Sequence, residues 1–218
     1  IFSMRPYYFI FFTFISIYFS CKQNAYMGIS ENIRKNIGAD QLSISESKDS
    51  ILIDIHYNKP PLIGFDFKSS TAALLLLDTT KSQLEERGLR LAKVSIHSNQ
   101  QVFDYIYPFS ELEINKKGME TAALFLQNFL SSQNEQNARY VDLDKISLED
   151  LFNLNQINEQ LQSNLKLTSI SFDGFTLHQS EPQNIEYRGN FQGDTEAIPF
   201  VFQYDKTLKR IFYFGINE

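Results

Sequence analysis

Two predicted β-strands carry the residues of this sequence whose types and spacing could support chemistry. Asp54 and His56 lie two positions apart on the first strand, and His97 lies on the second. Alternate residues of a strand face the same side, so Asp54 and His56 are expected to lie together. If both strands belong to one sheet, His97 would join them. Two imidazoles and a carboxylate could bind zinc or iron, or form a general base that an acid orients.

Ser95 and Asp104 occupy polar positions of the same predicted hairpin as His97, so they could extend this cluster. The alternative is a solvated sheet face, because antiparallel sheets commonly expose polar residues at alternate positions. The sequence contains no H-E-x-x-H motif, Walker loop, G-x-S-x-G elbow or dinucleotide fingerprint. We therefore predict no catalytic residue and no bound metal or organic cofactor. Asp54, His56 and His97 are kept as the site of an alternative function, a metal-dependent hydrolase.

Two helices are predicted to pack against these strands. In the first, isoleucines repeat every four residues from Ile29, with Ser30 as its cap and Gly38 as its stop. The second is rich in alanine and leucine, is capped within 69–70, and ends at Gly88. Each helix thus precedes one of the predicted strand pairs.

The strand pairs are predicted to be β-hairpins. Apolar and polar residues alternate over 42–57, with a turn at 47–50, and again over 94–107, with a turn at 98–101. The segment 58–68 contains prolines among apolar residues. We predict that it is a loop that folds back over the core.

The second half of the chain begins with a predicted helix whose apolar stripe runs from Met119 to Leu130. A polar linker is predicted over 131–145. Ser147 and Asp150 then have the spacing of a capping box and open a further helix. The residues predicted to face inward from this helix are Leu148, Leu151, Phe152, Ile157 and Leu161.

The last part of the chain is predicted to be all strand. Strands at 167–177, 185–191, 198–204 and 208–216 are separated by short turns, which favour an antiparallel meander. An apolar stripe on the last two strands could line a ligand pocket beneath the helices, although such a stripe is more often core. Its residues are Ile198, Phe200, Phe202, Phe212 and Phe214.

Together these elements predict an α+β fold. A helix-hairpin-helix-hairpin domain at 28–112 would precede a domain at 113–218, in which two helices pack on a curved four-stranded antiparallel meander. In the order of its helices and strands, the second domain resembles α+β modules of the nuclear-transport-factor-two-like kind. The resemblance implies helices that cover a bent sheet. Such a layout hosts both enzymes and binding modules, so it does not decide function.

The first residues have the arrangement of an export signal. Arg5 precedes an apolar run over 7–19, which is followed by Ser20 and the only cysteine of the chain, Cys21. The run is shorter than the roughly 20 residues that a helix needs to cross a bilayer. A signal peptide at 1–21 is therefore favoured over a membrane span or a buried N-terminal helix.

The segment Tyr18-Phe19-Ser20-Cys21 resembles the lipobox of a bacterial lipoprotein precursor. The resemblance implies cleavage before Cys21, a diacylglycerol on its sulfur, and acylation of the new amino terminus. Residues 22–28 would then be a tether in a protein anchored to the cell envelope. The outer membrane is favoured, because Lys22 stands where an aspartate would favour inner-membrane retention. A plain signal peptide, with Cys21 as a free thiol, is the alternative.

Charge and cysteine content limit the kinds of partner and ligand that this chain is expected to bind. The formal net charge is −6, and no cluster of Lys and Arg is present that could neutralise phosphates, so nucleic-acid binding is not expected. A single cysteine permits neither an intrachain disulfide nor a Cys-based zinc site. The expected partners are the membrane, through a lipid on Cys21, and an envelope protein or a small apolar ligand. The sequence therefore favours a lipid-anchored, non-catalytic binding module.

Overall fold

The computed structural model describes residues 26–61, 64–165, 167–177, 183–194 and 196–216. Within these ranges the chain forms four α-helices, one 3₁₀-helix and two four-stranded β-sheets, which confirms the α+β class. The predicted signal peptide, Cys21 and most of the predicted tether lie outside the described residues.

The first sheet, sheet A, is mixed. It consists, in spatial order, of β1 (Gln41–Glu46), β2 (Ser50–Tyr57), β3 (Leu91–Ser98) and β4 (Gln101–Pro108). β1 with β2 and β3 with β4 are antiparallel pairs, whereas β2 and β3 are parallel neighbours. The two predicted hairpins thus join into one sheet. The hydrophobic period of a single strand could not predict this, because it carries no information about which strands pair.

Helices α1 (Met27–Ile37) and α2 (Phe65–Glu86) lie on one face of sheet A. α2 also connects β2 to β3, since parallel neighbours need a crossover connection. The glycines predicted to end these helices, Gly38 and Gly88, follow them with φ of 68° and 80°. Both stops are confirmed. The strand residues buried beneath the helices are Ile51, Ile53, Ile55, Ala92, Val94 and Ile96.

Both helices begin earlier than the sequence predicts. α1 starts at Met27, so Ser30 lies inside it and its hydroxyl donates to the Met27 carbonyl at 2.9 Å. α2 starts at Phe65, so the predicted caps Ser69 and Ser70 are buried inside the helix. The loop predicted over 58–68 therefore ends before Phe65. These cap predictions are wrong: Ser30 bonds to a carbonyl of its own helix, whereas Ser69 and Ser70 bond to Tyr107 and Phe175 elsewhere in the fold.

The second sheet, sheet B, contains β5 (Ser169–Leu177), β6 (Asn184–Gln192), β7 (Ala197–Asp205) and β8 (Arg210–Ile216), antiparallel and in sequence order. Helix α3 (Phe109–Leu130) packs against it through aromatic rings. Ring centroids lie 5.3 Å apart for Phe125 with Phe202 and 5.7 Å apart for Phe129 with Phe214.

The helix predicted from Met119 begins at Phe109, directly after β4. A boundary at 112/113 would therefore fall inside α3. Buried residues from both halves of the chain belong to one connected core. The division into two domains stays a prediction.

The segment 131–145 is folded, so its prediction as a polar linker is wrong. Its centre is a 3₁₀-helix, Asn134–Arg139. The buried Asn137 donates from Nδ2 to the Phe125 carbonyl at 3.1 Å and accepts at Oδ1 from Asn128 at 2.9 Å. Val141 then forms a parallel bridge with Ile211 of β8. The polar composition of 131–145 suggested an exposed linker, but its asparagines form hydrogen bonds inside the fold.

Helix α4 (Leu148–Leu165) opens with the predicted capping box. The Asp150 N–H donates to the Ser147 hydroxyl at 3.1 Å, and the Ser147 N–H donates to the Asp150 carboxylate at 2.9 Å. Of the residues predicted to face inward, Leu151 and Leu161 are buried. The others are exposed, so that part of the prediction is wrong: α4 packs mainly on α3 and the 3₁₀-helix, through a narrower stripe. The exposed residues are Leu148, Phe152 and Ile157.

Candidate functional site

The parallel pairing of β2 and β3 brings the two histidines together. His56 on β2 lies beside His97 on β3, and Asp54 lies beside Ser95. The imidazole rings stack, with centroids 4.3 Å apart and planes 7° from parallel. Asp54, His56 and His97 thus share one face of sheet A, as the sequence hypothesis requires.

The polar contacts within this cluster form two separate pairs. Asp54 Oδ1 lies 3.6 Å from His97 Nε2, and the two side chains are 42% and 35% exposed, so solvent screens their interaction. The Ser95 hydroxyl donates to Asp104 Oδ1 at 2.6 Å. Ser95 is therefore bound to a carboxylate and lacks the contact with an imidazole base that would activate a serine nucleophile.

The stacked rings are poorly oriented to share a metal ion. The unprotonated nitrogen of each imidazole directs its lone pair in the plane of its own ring. Because the two stacked rings are nearly parallel, with centroids 4.3 Å apart, no point lies in line with both lone pairs. Within the described ranges, no group of three or more His, Cys, Asp or Glu side chains is arranged to hold a metal ion. The geometry favours the second interpretation of this cluster, a solvated sheet face.

The histidines belong to a larger surface, which we call the open face of sheet A. It is formed by the outward side chains of β1 to β4, which are exposed or half-buried except for Ser50 at the start of β2, while the alternate residues of the central strands are buried. The register arranges these side chains in three rows across the sheet. The rows are Gln41, His56, His97 and Val102; Ser43, Asp54, Ser95 and Asp104; and Ser45, Leu52, Lys93 and Ile106.

A group of polar residues that the sequence did not predict as a site lies at a bulge in β5. The register of β5 shifts between Phe172 and Gly174, whose φ is 128°. Between them, Asp173 accepts a hydrogen bond from Asn190 Nδ2 at 2.8 Å. Burial raises the pKa of Asp173 and lowers the pKa of Lys68 on α2, and each charge partly offsets the other's shift. The only available signal was a glycine inside a strand pattern.

The predicted apolar pocket in sheet B is largely packed core. Phe200 and Phe202 are buried, with ring centroids 5.7 Å apart, and Phe202 stacks on Phe214 at 4.6 Å. Ile198 is half-buried at the end of the same stripe. The rings fill the space that a ligand would need, as the alternative interpretation of the stripe expects.

A bulge in β8 separates Phe212 from this aromatic core. Tyr204 pairs with Ile211, whereas Phe202 pairs with Phe214, so the register shifts between them. Ile211 is buried in consequence, and Phe212 is half-buried. Phe212 and Phe214 instead contribute to the lining of a small cavity of about 210 Å³ beside α4.

A cavity of about 300 Å³ lies between α2, α3 and β5, where the sequence predicted none. An ion pair between Lys116 Nζ and Asp78 Oδ1, 2.7 Å apart, lies in its lining. A mostly apolar lining with few polar groups is typical of small-molecule sites. The apolar residues that line it include Leu74, Leu75, Met119, Ala123 and Phe172.

Comparison with known proteins gives the chain no relative. No protein-family model matches it, and no curated protein and no solved structure matches it. In the part of the chain that the structure describes, no helix is both long and apolar enough to cross a membrane.

Proposed function

We propose that this chain is a lipid-anchored protein of the bacterial cell envelope that binds a partner protein and performs no catalysis itself. The anchor would be the lipid on Cys21. Support for it comes from the order of Arg5, the apolar run over 7–19, and the Ser20-Cys21 pair. Lys22 favours the outer membrane, because it stands where an aspartate would favour inner-membrane retention.

The open face of sheet A is the observation that carries the binding proposal. Val102 and Ile106 on this face are 54% and 61% exposed, and Asp104 lies between them. Water in contact with such apolar side chains is unfavourable, and a partner that covers them would remove that cost. A mixture of apolar and polar side chains is also the usual composition of interfaces between proteins that exist separately.

The geometry of the histidine pair supports the absence of catalysis. The imidazoles of His56 and His97 face each other across their ring planes, and the hydroxyl of Ser95 is bound to Asp104. Neither arrangement presents a nucleophile together with its base. A stacked pair of flat rings is, however, well suited to contact a partner surface.

An envelope hydrolase is the second candidate, and the 3.6 Å approach of Asp54 to His97 favours it. Asp54 would orient the imidazole, and His97 would act as general base for water. Hydrolysis of the activated ester p-nitrophenyl acetate by the wild-type chain and by His97→Ala tests this candidate. Equal rates are expected, and a clear loss of rate in the variant would favour the enzyme over the binding module.

The cavity between α2, α3 and β5 favours a small apolar ligand as a further candidate. Native mass spectrometry of the chain purified from its membrane would detect such a ligand as a discrete added mass. Met119→Trp, which would fill the cavity, should abolish the added mass. Retention of the same mass would argue against this site.

We also propose that α3, α4 and sheet B form a module of the nuclear-transport-factor-two-like kind, with a curved sheet. The antiparallel order of β5 to β8 and the packing of α3 on their aromatic residues support this layout. A crystal structure with a flat sheet B would contradict it.

Two measurements test the main proposal. A photo-crosslinking amino acid placed in cells at Ser43 or Lys93, on the open face, should give a discrete cross-linked species, whereas the same group at the exposed Gln156 of α4 should not. Labelling with a palmitate analogue should be lost in Cys21→Ala, and the cross-linked species should be lost with it. Cross-links of equal yield from Gln156, or unchanged labelling of Cys21→Ala, would overturn the proposal.

A further inference from the structure

The backbone of β4 has free hydrogen-bonding groups at the edge of sheet A. β3 and β4 are joined by a two-residue turn at Asn99 and Gln100, both with positive φ. The pair that closes such a turn, here Ser98 and Gln101, exchanges backbone hydrogen bonds, and every second pair along the hairpin does the same. At the other end of the hairpin, the Phe109 N–H donates to the Arg90 carbonyl at 2.9 Å, which fits the same alternation. The β4 residues whose N–H and C=O face away from β3 are therefore Val102, Asp104 and Ile106.

Both edge strands of sheet B, β5 and β8, differ from β4, because other segments of the chain hydrogen-bond to their outward backbone groups. Ser70 on α2 bonds to the backbone of Phe175 on β5. On β8, the Ile211 N–H donates to the Tyr140 carbonyl and its C=O accepts from Asp142, both at 2.8 Å. Among the described residues, none hydrogen-bonds to the outward backbone groups of β4. An unpaired strand edge is a template for another strand.

The side chains of the edge-facing residues define what that strand should carry. Val102, Asp104 and Ile106 alternate apolar, acidic and apolar on the open face. In an antiparallel pair, the residues directly opposite them would lie within about 4.5–5.5 Å between Cβ atoms. Apolar residues are therefore favoured opposite Val102 and Ile106, and a lysine or arginine opposite Asp104, whose Oδ1 alone bonds to Ser95.

A groove beside β4 has room for the alternate side chains of such a strand. It is a cavity of about 510 Å³, lined on one side by Tyr105 and Tyr107 and on the other by Phe175 and Leu177 of β5. Asp66 adds a second carboxylate to this lining. The groove and the net charge of −6 both favour a basic segment over an acidic one.

We infer that β4 accepts an extended, basic segment of a partner protein as a fifth strand of sheet A. The segment carries apolar, basic and apolar residues at alternate positions. Main-chain hydrogen bonds to Val102, Asp104 and Ile106 provide affinity, and the side chain opposite Asp104 provides specificity. The inference rests on the proposed function, because it specifies how the partner binds the open face.

The test uses the full chain in detergent and two synthetic peptides, Thr-Val-Thr-Lys-Thr-Val-Thr and the same peptide with Glu in place of Lys. Fluorescence anisotropy should show tighter binding of the lysine peptide by roughly fivefold or more, in line with opposite and like charges in cross-strand pairs. Asp104→Lys should reverse this preference. Asp144→Lys, the same change of charge at an exposed position between the 3₁₀-helix and α4, should leave the preference unchanged.

Hydrogen exchange should locate the peptide. The amides of Val102, Asp104 and Ile106 should become protected, while those of Leu42 and Ile44 on the opposite edge strand should not. Ile106→Pro, which removes an edge-facing N–H, should abolish binding; an unchanged melting temperature would show that it folds.

Four results would overturn the inference: no binding of either peptide, equal binding of both peptides, protection elsewhere in the chain, and β4 amides already protected in a dimer of the free chain. Protection in a dimer would mean that the edge of β4 pairs with a second copy of this chain. If the peptides fail while Ser43 and Lys93 still cross-link to a partner, the binding function stands and only its mode is wrong.

Discussion

The Ser70 hydroxyl oxygen lies 2.9 Å from the backbone nitrogen of Phe175 and 2.8 Å from its carbonyl oxygen, although 105 positions separate the two residues. It accepts from the N–H and can donate its own proton to the C=O, so it makes the contacts that a neighbouring strand would make. The Thr71 hydroxyl donates in the same way to the Asp173 carbonyl. Side chains of α2 thus complete the edge of sheet B.

We expect Ser70→Ala to lower the free energy of unfolding by about 1–3 kcal/mol, because it leaves a buried N–H and C=O of β5 without their partner. Ser82→Ala, at an exposed position of the same helix, is the matched control and should change the free energy by no more than about 0.5 kcal/mol. Denaturant unfolding of both variants measures the difference. Equal, small losses would mean that water replaces the hydroxyl.

Phe202 and Phe152 should respond very differently to truncation. Phe202 is 0% exposed and contacts several rings, so Phe202→Ala should cost about 3–5 kcal/mol through lost burial and the cavity that remains. Phe152 on α4 is 56% exposed, and Phe152→Ala should change stability by no more than about 0.5 kcal/mol. Thermal or denaturant unfolding compares the two. Similar losses would contradict the exposed placement of Phe152.

Alkaline pH should destabilise the fold through its buried tyrosines. Burial, together with a hydrogen bond to Glu46, raises the pKa of Tyr26 to about 12. Burial likewise raises the pKa of Tyr57, Tyr107 and Tyr187. In the unfolded chain tyrosine ionises near pH ~10, so above this pH the folded state holds more protons than the unfolded state, and stability falls as pH rises.

The stabilisation from these tyrosines is therefore complete below pH ~10 and is lost as the pH rises toward the folded-state values. Denaturant midpoints measured from about pH 8 to about pH 11 should decrease, and tyrosinate absorbance should appear together with unfolding. Tyr26→Phe should show a shallower decrease, because one titrating group is absent. A midpoint that stays constant across this range would contradict the coupling between tyrosine ionisation and unfolding.

The 3₁₀-helix should resist proteolysis until its asparagines are removed. Asn137→Ala eliminates the bonds to Asn128 and the Phe125 carbonyl, so we expect a limiting amount of protease to cleave this variant first within 131–146. Gln136→Ala, at the neighbouring exposed position, should be cleaved like the wild type. Peptide mass mapping identifies the sites. Rapid cleavage of the wild type in this segment would restore the linker interpretation.

Elements whose signals are local could be predicted from the sequence. The alternation in 42–57 and 94–107 predicted both hairpins, and Ser147 with Asp150 predicted the start of α4, because each pattern depends only on neighbours in the chain. The same alternation placed His56 and His97 on polar strand faces. Their contact also required that the hairpins share a sheet, which depends on the crossover through α2 and has no local signal.

The errors concern side chains whose environment is set by distant residues. Ser70 has the preferences of a helix cap, yet its hydroxyl bonds to a strand more than one hundred positions away. Phe152 is apolar but 56% exposed, because α4 contacts its neighbours along a narrow stripe. The bulges next to Gly174 and at Phe212 shift the pairing by one residue, and alternation alone cannot locate such a shift.

The parallel pairing of β2 with β3 also constrains the order of folding. Each hairpin closes through a short turn, whereas β2 meets β3 only after the whole of α2 has crossed between them, and such non-local closure is slow. On β2, the Ser50 carbonyl accepts from Ser47, so the even-numbered residues face β1 and the odd-numbered residues face β3. In pulse-labelled refolding, the amides of Leu52 and Asp54 should therefore gain protection before those of Ile51, Ile53 and Ile55, on the same strand.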